Sequence, residues 1–252
     1  MGVFLILPIT TAQAAPSVLE RSEGALGRKV GNYRLVDQDG RHLPFFTFKG
    51  KTILLSFMYI DCPDMCLLTG QSLKRFVDTM NPELKEKVVL VSVSMDPEND
   101  TPEKLRNYGS EYSDDFSKWY FTTTDSDTLA KMISDLGFTF EKKVEGEIEH
   151  LSRITLIRPD GVVARHFYGA EFDPKDIEES VKSVIEGQTI TSRISGNLSK
   201  FLIYCSNYDP KTKTYRVDYG AIFFALVNGV LVFATIIYLL RFKIKKILFK
   251  GR

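Results

Sequence analysis

Two apolar runs dominate the hydropathy pattern, "KTILLSFMYI" from Lys51 and "KVVLVSVSMD" from Lys87. Neither alternates with polar positions, so each reads as a strand buried on both faces. Between them Leu73, Phe76, Val77 and Met80 recur at helical spacing, which predicts an amphipathic helix with one apolar face. A second helix opens at Thr101-Pro102, where the hydroxyl caps the first turn and the proline takes the first helical position. "KWYFTTTD" then reads as a strand, and "SDTLAKMISDLG" as a helix closed by Gly137. The stretch "RITLIRPDGVVARHFYG" predicts a hairpin turning at Pro159-Asp160-Gly161. A last helix starts at Asp173-Pro174, buries Ile177, Val181, Val184 and Ile185, and stops at Gly187.

Strand, helix, strand, helix, then a hairpin and a helix is an α/β order with one mixed sheet. It is the order of the thioredoxin fold with an extra strand-helix pair in the middle, and it occupies residues 25–187. Residues 188–218 follow as a polar extension containing "FLIYCSNYDPKTKTY", too long for a simple linker and too short for a domain.

Composition adds two things. A chain of 252 residues with 44% hydrophobic content can bury one sizeable core with some elements to spare. Its net charge of +1 argues against an extended basic surface, and so against nucleic acid as a partner. The average hides two unusual ends. Residues 1–14 combine a short apolar run with Ala12-Gln13-Ala14, the pattern of a secretory signal peptide. Residues 219–240, "YGAIFFALVNGVLVFATIIYLL", are uncharged and long enough to cross a hydrocarbon core. Residues 241–252, "RFKIKKILFKGR", carry basic residues and no acid, so by the positive-inside rule they are cytoplasmic. The expected protein is an exported globular domain tethered to the membrane by a single C-terminal span. Asn228 in the expected span could pair with another helix.

The candidate chemistry lies directly after the first apolar run. Of three cysteines, Cys62 and Cys66 stand four positions apart in "CPDMC", which puts both sulfurs on one face of a helix that begins there. Thiolates at a helix N-terminus are stabilised by free N–H groups and the dipole, and Pro63 stiffens the backbone between the pair. A structural disulfide, a redox dithiol and a metal clamp all remain open on this spacing. Two thiolates favour Cu(I), and an imidazole is an acceptable third ligand. Among His42, His150 and His166, the best placed is His150, just ahead of the predicted hairpin. Asp64 between the cysteines tunes the site's charge or is simply solvated, and Asp96 and Pro97 shape a nearby loop. Cys205 is left over as an odd thiol.

"CPDMC" after one strand, "MDPENDTPEKL" after the next and "HLSRITLIRPDG" downstream resemble the Sco/SenC family over residues 25–190. The resemblance implies a membrane-tethered thioredoxin-fold protein that delivers copper to the binuclear CuA centre of cytochrome c oxidase. It implies one copper, Cu(I) or Cu(II), held by Cys62, Cys66 and His150. The implied partners are the copper-bearing oxidase subunit and another copper carrier or a thioredoxin-like reductant. The C-terminal span resembles a bacterial branch of the family, which implies a bacterial inner membrane with the globular domain in the periplasm. Leu67 and Arg158 depart from the family pattern, and neither removes a ligand. The competing reading is a thiol–disulfide oxidoreductase in which Cys62 and Cys66 cycle through a disulfide and keep the oxidase's copper-site cysteines, or other exported thiols, reduced. A metallochaperone is the stronger of the two. A peroxidase fits poorly, because Tyr59 stands where a threonine is needed three positions before Cys62.

Overall fold

A computed structural model of the protein describes residues 18–62, 65–142, 148–150, 152–188, 206–209, 214–217, 223, 227–231, 235, 237 and 238. The expected signal peptide, Pro63, Asp64, Cys205 and the basic tail lie outside the described residues. The chain divides into two units, residues 1–190 and 191–252.

In the first unit, the helix α1 (Val18–Glu23) precedes β1 (Arg34–Asp37) and β2 (His42–Pro44). Then come β3 (Thr52–Met58), α2 (Met65–Thr79), β4 (Val88–Ser94), α3 (Pro102–Gly109), β5 (Trp119–Thr123) and α4 (Ser126–Asp135). A small ladder, β6 (Phe140–Lys142) with β7 (Ile148–His150), leads into β8 (Arg153–Ile157), β9 (Val163–Tyr168) and α5 (Pro174–Ile185). The main sheet runs β2-β1-β5-β4-β3-β8-β9. Its centre, β5-β4-β3, is parallel, and both flanks are antiparallel.

The two apolar runs are the central strands. Every residue of β3 and of β4 is buried, as a strand covered on both faces requires. Their only hydroxyl positions in mid-strand face one another: Ser56 and Ser92 are register partners whose Oγ atoms stand 2.9 Å apart. The Trp119 indole N–H donates to Ser92 Oγ at 2.9 Å, so these mid-strand hydroxyls are paired.

The helix signals hold. Leu73 and Phe76 of α2 are buried, and α2 packs against α5, which buries Ile177, Val181 and Val184; the expected Val77 and Ile185 are only half-buried at the edge of this face. Thr101, Asp125 and Asp173 cap α3, α4 and α5, contacts worth about 1 kcal/mol each. The β8–β9 hairpin turns at the expected Pro159-Asp160-Gly161, where Gly161 takes φ 84°. Arg158, one of the departures from the family pattern, pairs with Asp160 in this turn. The elements α1, β1, β2, β6 and β7 were not expected. Each runs three to six residues, too short to show a period.

α1 is fastened to β8 and β9 by side chains. Ser22 Oγ lies 2.8 Å from the Tyr168 hydroxyl, which also donates to Glu23. His166 places Nε2 3.0 Å from the Ser22 carbonyl and Nδ1 3.1 Å from Thr155 Oγ1. A carbonyl only accepts, so Nε2 carries the proton and Nδ1 accepts from the threonine. Burial, with Arg153 adding to it, pushes the His166 imidazole down to about 3. A folded value below the ordinary ~6.5 means the unfolded chain binds a proton the folded chain refuses. This contribution is therefore complete above about pH 6.5 and drains away as pH falls towards 3. A His166→Gln variant should lose less stability than the parent between pH 7 and pH 4.5 in urea melts (both about those values). Parallel pH profiles for the two proteins would refute the assignment.

The second unit contains a hairpin of β10 (Ser206–Asp209) and β11 (Thr214–Val217), paired antiparallel within the expected polar extension. Among the described residues no helix is long and apolar enough to cross a membrane. Of the expected span 219–240, only residues 223, 227–231, 235, 237 and 238 are described, and these are helical.

Candidate metal centre

β3 ends at Met58, and the chain runs through Tyr59, Ile60 and Asp61 to Cys62 before α2 begins at Met65. This is the carboxyl end of a central parallel strand, where open α/β sheets place their sites. The approach is pinned from β4: Met95 N–H donates to the Met58 carbonyl at 2.7 Å, and Asp100 accepts from Ile60 N–H at 3.3 Å. Ser94 Oγ donates to the same Asp100 oxygen at 2.6 Å. Burial raises the Asp100 carboxyl above its ordinary value, partly offset by these two hydrogen bonds. Asp96 accepts from Asn99 and builds the turn that delivers Asp100, so its role is loop shaping, as expected. Asp100 itself was not singled out from sequence, although it lies in "MDPENDTP".

Cys62 is half-buried and Cys66 is 4% exposed. Neither is in a disulfide, so the structure describes the dithiol form of the pair. The Cys66 backbone N–H, in the first turn of α2, donates to Cys62 Sγ at 3.3 Å. The hydrogen bond between the two side chains, then burial, holds the Cys66 thiol well above its ordinary value. Cys66 therefore holds its proton where an ordinary thiol would begin to ionise.

Behind the pair, Tyr108 and Tyr112 contact one another, with ring centroids 5.1 Å apart. Burial keeps both phenols protonated, and the nearby sulfurs add to the effect. Gly70 of α2 is packed against this wall. A Cβ there would stand 2.5 Å from the Tyr112 ring, so the helix carries a glycine where it must approach closely. Leu67, the next departure from the family pattern, is exposed beside Cys66.

His150 arrives from the other direction. It ends β7, opposite Phe140 of β6, and its ring centroid lies 5.7 Å from that of Phe138. One ligand atom from each of Cys62, Cys66 and His150 falls within 4.8 Å of the other two. Ligands sharing one ion at bond lengths of about 2.0–2.3 Å stand within about 4.6 Å of one another, so little movement separates this set from a closed site. His150 Nδ1 is buried and has no hydrogen-bond partner among the described residues. Two sulfurs and an imidazole with an orphaned Nδ1 fit a soft metal ion. The other histidines are elsewhere: His42 is exposed on edge strand β2, and both ring nitrogens of His166 are engaged.

The family model described as SCO1/SenC matches residues 22–186 of the chain. The chain belongs to the SCO1/SenC family. A Bacillus subtilis SCO1 protein homolog is 30% identical over 165 residues, covering 63% of this chain and 83% of the relative. Among solved structures, Bradyrhizobium japonicum ScoI with copper bound is 26% identical, with a TM-score of 0.54 over 63% of this chain and 99% of that one. BsSco, described as a Sco-family cytochrome c oxidase assembly protein with a disulfide switch, is 29% identical, with a TM-score of 0.53 over 63% of this chain and 94% of that one. The mixed-sheet, thioredoxin-like architecture is the fold of this family.

Proposed function

We propose that the protein binds one copper ion through Cys62, Cys66 and His150 and supplies it to the CuA centre of a cytochrome c oxidase. The observation that carries this reading is the gathering of two sulfurs and one imidazole, from separate elements, within 4.8 Å. The copper-bound ScoI relative and the oxidase-assembly role given for BsSco support the choice of metal and recipient. Copper is cargo here, so the site must hold it and also yield it, as Cu(I) or Cu(II). We place the metal domain in the periplasm, tethered by 219–240 with 241–252 in the cytoplasm. This rests on the apolar run and the basic tail.

Reduced full-length protein offered copper and zinc together should retain one copper per chain after desalting, and the Cu(II) form should show a sulfur-to-copper charge-transfer band. Retention of zinc alone, or no band, overturns the reading. A chain ending before Tyr219 should bind copper equally well yet mature the oxidase poorly at native expression, because the tether raises local concentration. Full maturation by that chain would remove the tether from the proposal.

A second reading is favoured by the dithiol form of the pair, with the Cys66 N–H aimed at Cys62. Cys62 as thiolate would attack a target disulfide, forming a mixed disulfide, and Cys66 would displace the target thiol. The target gains the two electrons and protons that the dithiol gives up. The same two sulfurs serve both readings, and His150 separates them.

A further inference from the structure

Arg153 opens β8 with its side chain inside the protein, 4% exposed. A buried guanidinium is costly unless it is well paired. Its Nη2 donates to the Leu136 carbonyl at 2.6 Å, its Nη1 reaches Ser22 Oγ, and its Cζ lies 5.3 Å from the centroid of the Phe138 ring. That ring meets two others: Phe57 of β3 at 4.5 Å and His150 at 5.7 Å between centroids.

We propose that Arg153 and Phe138 are positioning residues for His150, locking the imidazole arm of the metal centre to the strand that carries the cysteines. The proposal rests on the metal-centre reading above and extends it to residues that touch no ion. β6 and β7 pair over three residues each, and a two-stranded ladder of that length is marginal in water. His150 sits at its last position and needs support from outside the ladder. Phe138 supplies this support by bridging His150 to Phe57, the penultimate residue of β3, which leads on to Cys62. Arg153 fixes Phe138 twice, from over the ring and through the Leu136 carbonyl at the start of the turn into β6. A lysine retains the charge but loses the planar fork, so it cannot hold both ends.

The test uses full-length protein with Arg153→Lys, Phe138→Leu and His150→Ala, alone and combined. In the metal-free protein, carbethoxylation of His150 by diethyl pyrocarbonate, followed by peptide mass spectrometry, should accelerate severalfold in Arg153→Lys and Phe138→Leu. Alkylation of Cys62 and Cys66 should keep its parental rate. With copper, each positioning substitution should weaken affinity about tenfold. In the His150→Ala background the further loss should be under about twofold, because the route to copper is already cut. Unchanged His150 modification, or the same affinity loss in both backgrounds, overturns the proposal. If the parent takes no copper, the metal-centre reading fails, and the modification rates still decide positioning. If Arg153→Lys fails to fold by circular dichroism, Phe138→Leu decides in its place.

Discussion

A Cys66→Ser variant is expected to lose copper and thiol exchange together. Cys66 is buried against the Tyr108 and Tyr112 wall and shares a hydrogen bond with Cys62, so serine replaces it in nearly the same space. The hydroxyl is a hard, weakly acidic donor, and a site built from soft sulfur for Cu(I) is left with one sulfur and one imidazole. The loss in copper affinity should exceed the roughly 10–100-fold that removal of a supporting residue costs. Competition against a calibrated Cu(I) chelator measures it. Exchange stops for a separate reason: with no second thiol on α2, a mixed disulfide at Cys62 cannot be resolved from within. A Cys66→Ser protein that retained parental copper affinity would remove the dithiol from the metal centre.

The second large effect separates the two readings. His150→Ala should weaken copper binding by a similar order while leaving the rate of Cys62–Cys66 disulfide exchange close to that of the parent. The imidazole belongs to β7, whereas Cys62 and Cys66 meet through the first turn of α2 and the loop that Asp100 pins. Nothing in the exchange step requires a nitrogen from the other arm. Alanine also removes a buried Nδ1 that lacks a partner, so the substitution leaves no new unpaired polar atom on that side chain. Loss of exchange with copper affinity intact would reverse the assignment and make the protein a reductase whose histidine serves proton transfer.

The parts of this protein that could be read from sequence are those where a local pattern and the tertiary demand coincide. β3 and β4 announce themselves because strands buried on both faces cannot afford polar alternation. The caps at Thr101 and Asp173 and the turn at Gly161 are local hydrogen-bond and φ requirements, and local sequence satisfies them. The cysteine pair is legible because its members are near in sequence, although α2 begins only at Met65, so Cys62 stands in the loop ahead of the helix expected to start with it. His150 could be singled out only by its position ahead of β8; the ladder that carries it is too short to have a pattern. Arg153, Phe138 and Asp100 were invisible as contributors, because their partners lie in other elements. An arginine opening a strand reads as a solvent-facing residue, and here it is buried.

The three proposed ligand residues differ in what survives unfolding. Cys62 and Cys66 are only four residues apart, so a denatured chain can still close both sulfurs on one copper. His150 joins them only when β7 is in place beside the folded sheet. Bound metal stabilises a native state only by its excess affinity over the unfolded one. The stabilisation that copper can confer on this domain is therefore set by the imidazole and its supports, however tightly the two sulfurs hold the ion.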